Sequence, residues 1–280
     1  MEREETELKI PGSNRIFRLA GPAGDRSVLR PTARAHGVWE PHVMNVLAMI
    51  IQPTDICLDA GGNIGIYTMF LSELAEKVYA FEPSSINAAF LADNIAANEI
   101  DNAEVERIGL GAFKEKKSFF HMSTLPGCSF VNADDDRGTI KRFWGVDHEH
   151  IEEQIQIERL DDWLDERDIE RVDFIKMDVE GSEPSAIEGG QKLFSKQRPT
   201  FVIEFNRRAL AQKYGTDPEI LYDLLTSYYS YIYVLEPDVT KPPALVKSYA
   251  HLNEFLPDKR FWADLLCLNR PFEQVRRRAT

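Results

Sequence analysis

The segment Asp59-Ala60-Gly61-Gly62-Asn63-Ile64-Gly65 constrains this chain more than any other stretch. It follows the apolar run Ile56-Cys57-Leu58 and leads into a helical pattern, so it reads as a strand, a glycine-rich turn and a helix. Glycines in such a turn let the backbone approach a ligand. An acid at the tip of the next strand, Glu82 in Phe81-Glu82-Pro83, can accept hydrogen bonds from ribose hydroxyls. The two features together point to a nucleoside-containing cofactor.

The surrounding pattern supports the same architecture. Strands are expected at residues 55–59, 77–81, 103–108, 154–157, 172–177 and 200–205, and helices at 42–51, 64–73, 84–98, 160–165, from Glu183 and at 217–227. Ser84 or Ser85 and Asp217 are the candidate helix caps, and Pro184 suits a first helical turn. Strands alternating with helices imply right-handed crossovers and a mostly parallel sheet covered on both faces. The last two apolar runs, 231–235 and 262–268, have several prolines and no clear helix between them, so the connection reads as a loop and the strands as an antiparallel pair at one edge. Residues 116–120 could add a strand. Residues 121–151 break the rhythm and read as an inserted lid, and residues 1–40, broken by Pro11, Gly12, Pro22 and Pro31, as an N-terminal cap. The expected fold class is therefore a Rossmann-like, doubly wound α/β domain over 41–280. Its sheet would have seven mostly parallel strands and an antiparallel terminal strand.

At 280 residues and 43% hydrophobic content the chain can bury a large core. Its formal net charge of −13 leaves no excess of cations for nucleic-acid phosphate, and Arg276-Arg277-Arg278 reads as a solvated tail. Cys57, Cys128 and Cys267 show neither a disulfide framework nor metal spacing, which fits a reducing compartment. There is no apolar run of membrane-spanning length and no signal-peptide pattern, so a cytoplasmic location is expected. A homo-oligomer is compatible with the sequence.

The turn departs from the dinucleotide pattern of three glycines. Asp59 places a carboxylate where a dinucleotide site presents backbone to a pyrophosphate. A carboxylate repels pyrophosphate but can engage an amino group, directly or through water. S-adenosylmethionine carries an α-amino group and a sulfonium and no phosphate, so Asp59 favours it over NAD or FAD.

The residues 58–68, Phe81-Glu82-Pro83 and Ile175-Lys176-Met177-Asp178-Val179-Glu180-Gly181-Ser182-Glu183 resemble the FkbM family of S-adenosylmethionine-dependent methyltransferases. Weaker matches are Gly37-Val38-Trp39-Glu40-Pro41 and residues 157–164; Gly62 stands where many members carry alanine. The resemblance implies O-methylation of a hydroxyl on a sugar, glycan or glycolipid acceptor. Alternatives are a polyketide or other small secondary metabolite as acceptor, or a catalytically inactive cofactor-binding module.

By resemblance and position, Asp59, Gly61 and Gly65 would hold the methionine end of the cofactor, with Asn63 adding a hydrogen bond and Glu40 closing over it. Glu82 would take the ribose diol, Ser84 or Ser85 would line the adenine side, and Ile108 and Gly109 would form the adenine wall. Asp178, at the end of the fourth core strand, is the expected reaction-centre acid, with Glu180 beside it as another source of a general base. Lys176, two residues earlier, would face the same side. Glu183 is read as a first-turn helix acid. A Mg²⁺ site from Asp178, Glu204 and Asn206 is an alternative, though magnesium is not expected. Among the histidines, His148 and His150 lie in the insert and His36 and His42 flank the Gly37–Pro41 segment. Phe130, Phe143 and Trp144 could either stack on an acceptor or pack under the lid.

Overall fold

The computed structural model describes residues 2–122, 124–131, 150–256 and 260–276. It opens with an antiparallel hairpin, β1 (Arg3–Lys9) and β2 (Ile16–Pro22), then a short helix, Leu29–Arg34, and the helix Pro41–Ile50. The glycine-rich turn joins β3 (Ile56–Ala60) to the helix Ile66–Ser72. Next come β4 (Lys77–Phe81), the helix Ser85–Ala97 and β5 (Ala103–Glu106). A second group of strands follows: β6 (Gly109–Leu110), β7 (Glu115–Met122), β8 (Phe130–Val131) and β9 (His150–Glu158). The chain then returns to the main sheet with β10 (Phe174–Met177), β11 (Thr200–Asn206), β12 (Tyr231–Leu235), the two-residue β13 (Ala244–Leu245) and β14 (Trp262–Leu268).

The main sheet has the order β13-β12-β14-β11-β10-β3-β4-β5. The strands β11, β10, β3, β4 and β5 run parallel to their neighbours, and β14 enters antiparallel between β11 and β12. This is the expected doubly wound sheet, with its seven strands extended by β13. Alternate residues feed opposite cores: Ile175 and Met177 face a cluster with Trp163, Phe194 and Leu225, whereas Phe174 faces one with Met44, Phe70 and Phe17 of the N-terminal hairpin. Lys176 shares the face of Phe174, on the side of the Pro41–Ile50 helix.

Three expectations need correction. The 236–261 connection holds β13 and a short helix, Tyr249–Glu254, that its prolines hid; Ser248 caps that helix by accepting the His251 N–H, and Leu252 anchors it in the core. The fifth parallel strand ends at Glu106, so Ile108 lies beyond it. The strands at 116–120 and 154–157 are real but longer, and they belong to a separate sheet, β6-β9-β7-β8, rather than to the main one. Of the 121–151 segment, Phe130 is buried against Phe120 and carries no open stacking face. Phe143, Trp144 and His148 lie outside the described residues.

Candidate active site

Neighbouring parallel strands β10, β3 and β4 end side by side, and their C-terminal loops build one cleft. The turn after β3 is held tightly. The Gly61 and Gly62 N–H groups both donate to the Phe81 carbonyl, the Asn63 N–H donates to Glu82 Oε2 at 2.8 Å, and the Gly65 N–H donates to the Gly62 carbonyl. On the other side, the Asp178 N–H donates to the Ala60 carbonyl. Gly61 has φ +90°, and a Cβ there would sit 1.9 Å from the Asp178 carbonyl oxygen. Only glycine fits that crossing.

The cleft is lined by Gly61, Asn63, Glu82, Ile108, Gly109 and Asp178, all anticipated from sequence. Glu180 also borders it. A second recess, bordered by Trp39, Glu40 and Tyr67, shares Gly61, Asn63 and Asp178 with the first. Asp178 therefore stands where the two recesses meet. The sequence did not point to Asn87 and Ser129, which line the first recess. Asn87 lies one turn into the helix that Ser84 caps, a position that its distance from Glu82 could have flagged.

Glu82 is buried, and each of its carboxylate oxygens accepts one backbone N–H, Oε2 from Asn63 and Oε1 from Ser84. Burial pushes its carboxyl up to about 7 against those two hydrogen bonds. Asn63 and Asn87 line the cleft, and among the described residues their buried side-chain oxygens have no hydrogen-bond partner. Ile108 and Gly109 line the same recess.

A charged cluster lies behind the second recess. Glu40 sits in the left-handed region at φ 33°, a conformation that costs a non-glycine residue about 1–3 kcal/mol. Its Oε2 accepts the Tyr67 hydroxyl at 2.5 Å, and burial, with the nearby Asp264 charge, raises its carboxyl to about 7. Lys176 is fully enclosed. Its Nζ lies 3.5 Å from Asp178 Oδ2, 3.9 Å from Asp264 Oδ1 and 5.0 Å from the Tyr67 ring centroid. Burial would push the ammonium down, but the Asp178, Asp264 and Glu40 carboxylates outweigh it and hold Lys176 above its ordinary value. His42 lies on the far side of Asp264, its Nε2 3.5 Å from Oδ2, and so packs behind the site rather than at its mouth. Tyr67 and Asp264 escaped the sequence reading; an acid inside the apolar run 262–268 was the available signal.

The loop after β10 is fixed by its own acids. Glu183 starts the helix Glu183–Gly189, as read from sequence, and also folds back so that Oε1 accepts the Val179 and Gly181 N–H groups at 3.2 and 3.1 Å. Burial lifts its carboxyl to about 7. Glu180 borders the cleft but is engaged by the buried Lys213, whose Nζ lies 2.8 Å from Oε2. Burial raises the Glu180 carboxyl and Lys213 opposes that rise.

Asp59, Gly65 and Ser84, like Lys176, sit behind the cleft and border neither recess. Asp59 is buried and accepts the Thr68 hydroxyl at 2.6 Å, with burial raising its carboxyl to about 6. Gly65 packs on Leu91. Ser84 caps its helix through the Asn87 N–H and meets His121 Nδ1 at 3.1 Å. The Asp178, Glu204 and Asn206 set is not arranged as a cation site: the Asn206 amide oxygen accepts the Ala209 N–H, and its amide nitrogen faces Glu204. Among the described residues no group of three or more His, Cys, Asp or Glu side chains could hold a metal ion.

These features fit S-adenosylmethionine better than a dinucleotide. A pyrophosphate needs free loop N–H groups or cations. Here the N–H groups of Gly61, Gly62, Asn63 and Gly65 are all engaged within the protein, and neither recess is lined by lysine or arginine. The lining instead offers carboxylates and unpaired amide oxygens, which suit ribose hydroxyls, an amino group and a sulfonium.

Comparison with known proteins agrees. The family model described as "Methyltransferase FkbM domain" matches residues 59–257. The chain is 28% identical over 144 residues to Methyltransferase 1 of Beauveria bassiana, covering 47% of this chain and 57% of that protein. It is 26% identical over 165 residues to the 2-O-methyltransferase NoeI of Sinorhizobium fredii, covering 55% of this chain and 64% of that one. The chain thus spans 57% and 64% of the lengths of these two relatives. The crystal structure of methyltransferase FkbM from Methylobacillus flagellatus aligns with a TM-score of 0.47 at 19% identity, covering 78% of this chain and 44% of that one. The family model spans well over half the sequence and includes the three loops that build the cleft, and the protein belongs to the FkbM methyltransferase family.

Proposed function

We propose that this protein transfers a methyl group from S-adenosylmethionine to a hydroxyl of a sugar, glycan or glycolipid acceptor. The observation that carries the cofactor assignment is that the Gly61, Gly62, Asn63 and Gly65 N–H groups are engaged within the protein while the Glu40, Glu82 and Asp178 carboxylates line the recesses. One relative, a 2-O-methyltransferase, supports oxygen as the methylated atom.

In this reading Glu82 accepts both ribose hydroxyls, Asn63 and Asn87 supply further acceptors, and Ile108 and Gly109 flank the base. Glu40 and the Gly61 turn border the amino-acid end, while Asp59 and Gly65 act from behind by shaping the turn. When bound, S-adenosylmethionine supplies the electrophilic methyl group. Asp178 stands at the junction of the recesses and takes the proton of the acceptor hydroxyl at a carboxylate oxygen. Lys176 holds that carboxylate in place from behind, and Glu183 fixes the loop that carries it. Glu180 shapes the acceptor side through its pairing with Lys213. Positioning of this kind can lower a barrier by several kcal/mol, and a general base typically adds about 10²- to 10⁴-fold. Residues 1–40 serve as a cap beside the second recess.

Calorimetric titration with S-adenosylmethionine, S-adenosylhomocysteine and NAD tests the cofactor, and a methyl-transfer screen of hydroxylated sugars, with and without chelator, tests the reaction. The expected result is heat with the first two ligands only, followed by turnover. Asp178→Asn should abolish turnover and leave S-adenosylhomocysteine affinity within about threefold of the parent. No heat with S-adenosylhomocysteine would sink the assignment.

A further inference from the structure

We propose that the groove adjoining the cofactor cleft is a sugar-ring subsite whose platform is Phe113; this rests on the reading of the acceptor as a hydroxylated sugar. The groove shares Leu110, Val131 and Ser182 with the cleft, so the two adjoin.

A single exposed apolar side chain carries no message by itself. Phe113 differs in three respects. It is 67% exposed, more than any other large hydrophobic side chain among the described residues. It also borders this groove. Finally, its base is rigid: the Gly111 N–H donates to the Glu158 carbonyl, the Ala112 N–H donates to Ser185 Oγ at 3.0 Å, and the Ala112 carbonyl accepts from Arg159 Nη1 at 2.5 Å. The residues preceding the ring are thus tied to both the second sheet and the helix Glu183–Gly189. An aromatic face on a fixed base suits the apolar C–H face of a pyranose, with little ordering of the protein on binding.

The rim fits the rest of such a ligand. Glu188 and Lys117 border the same groove and can respectively accept from and donate to ring hydroxyls. An acyl chain would gain nothing from those charges and would have to desolvate them. The geometry therefore points to an acceptor of at least two sugar rings, one bearing the methylated hydroxyl near Asp178 and the next stacked on Phe113.

The test uses the full chain saturated with S-adenosylhomocysteine and saturation-transfer NMR against methyl glycosides of common hexoses and their disaccharides. Wild type is expected to bind a disaccharide more tightly than the matching monosaccharide. Phe113→Ala should weaken the disaccharide by about tenfold, remove its advantage and leave S-adenosylhomocysteine affinity unchanged. Phe113→Trp should preserve disaccharide binding. Equal binding by wild type and Phe113→Ala overturns the subsite, as does a wild type that binds S-adenosylhomocysteine but no sugar. Failure to bind S-adenosylhomocysteine overturns the proposed function itself, which separates the two claims.

Discussion

The carbonyl oxygen of Asp178 occupies the space that a side chain on Gly61 would need, 1.9 Å from its Cβ position. The glycine-rich turn and the loop carrying the proposed base are therefore one packed unit, sealed by the hydrogen bond from the Asp178 N–H to the Ala60 carbonyl. Gly61→Ala must displace backbone and also place a side chain at φ +90°, a conformation that L residues rarely adopt. We expect a loss of roughly 2 kcal/mol or more of stability, since strained backbone and overpacking each cost on that scale, and a loss of detectable S-adenosylhomocysteine binding. Thermal melts and calorimetry check both. Gly62→Ala, at a position without positive φ, should be far milder.

Glu183 fixes the same loop from its other end. Truncation in Glu183→Ala removes the acceptor of the part-buried Val179 N–H and strands the buried Gly181 N–H, and a buried amide left unpaired costs about 1–3 kcal/mol. Urea denaturation should show a loss within that range, and turnover should fall further than cofactor affinity because the loop bears Asp178. Glu183→Gln keeps an acceptor oxygen and should recover most of the stability. Equal stability of the alanine and wild-type proteins would dismiss the anchoring role.

The sheet was legible because each strand is a short apolar run bounded by turn residues, and the turn itself because Asp59 to Gly65 is local chemistry. Pairing over distance was not. Residues 116–120 and 154–157 each look like strands, but nothing in either run says that they pair with each other in a separate sheet rather than join the main one. Asp59 shows a related gap: its position at a strand tip was readable, whereas its use by Thr68 depends on how the following helix folds back. Likewise, Glu180 looked like a free acid until the fold brought Lys213 to it. Asp264 was hidden in a strand whose other residues read as pure core.

Lys176 and Asp264 offer a cleaner test of the buried charges. Removing one member of a buried pair leaves the other uncompensated, which typically costs about 3–5 kcal/mol, while replacing both by neutral groups is often tolerated. We therefore expect Lys176→Met to be strongly destabilising and the double variant Lys176→Met with Asp264→Asn to recover a substantial part of the loss. Denaturant unfolding of the four proteins gives the coupling energy directly. Additive effects would mean that the 3.9 Å approach carries no energetic weight.

The raised carboxyls make a prediction about protons. Burial lifts Glu40, Glu82 and Glu183 to about 7 and Asp59 to about 6, from ordinary values of 4.5 and 3.8. The folded protein then holds protons that the unfolded chain has released. This contribution to stability is fully present below the unfolded values and is lost as pH rises through about 6 to 7. The buried His121, pushed down by burial, works in the opposite direction, its contribution being lost as pH falls below its ordinary 6.5. With these four carboxyls and the likewise raised Glu180 and Glu204 against one imidazole, the ligand-free protein should melt at a lower temperature at pH 8 than at pH 6. Ribose hydroxyls donating to Glu82 favour its ionised form, so S-adenosylhomocysteine binding near pH 6.5 should release up to about one proton. Calorimetry in buffers of different ionisation enthalpy measures that release, which should disappear in Glu82→Gln. Heats independent of buffer would show that Glu82 does not change its protonation when the ligand binds.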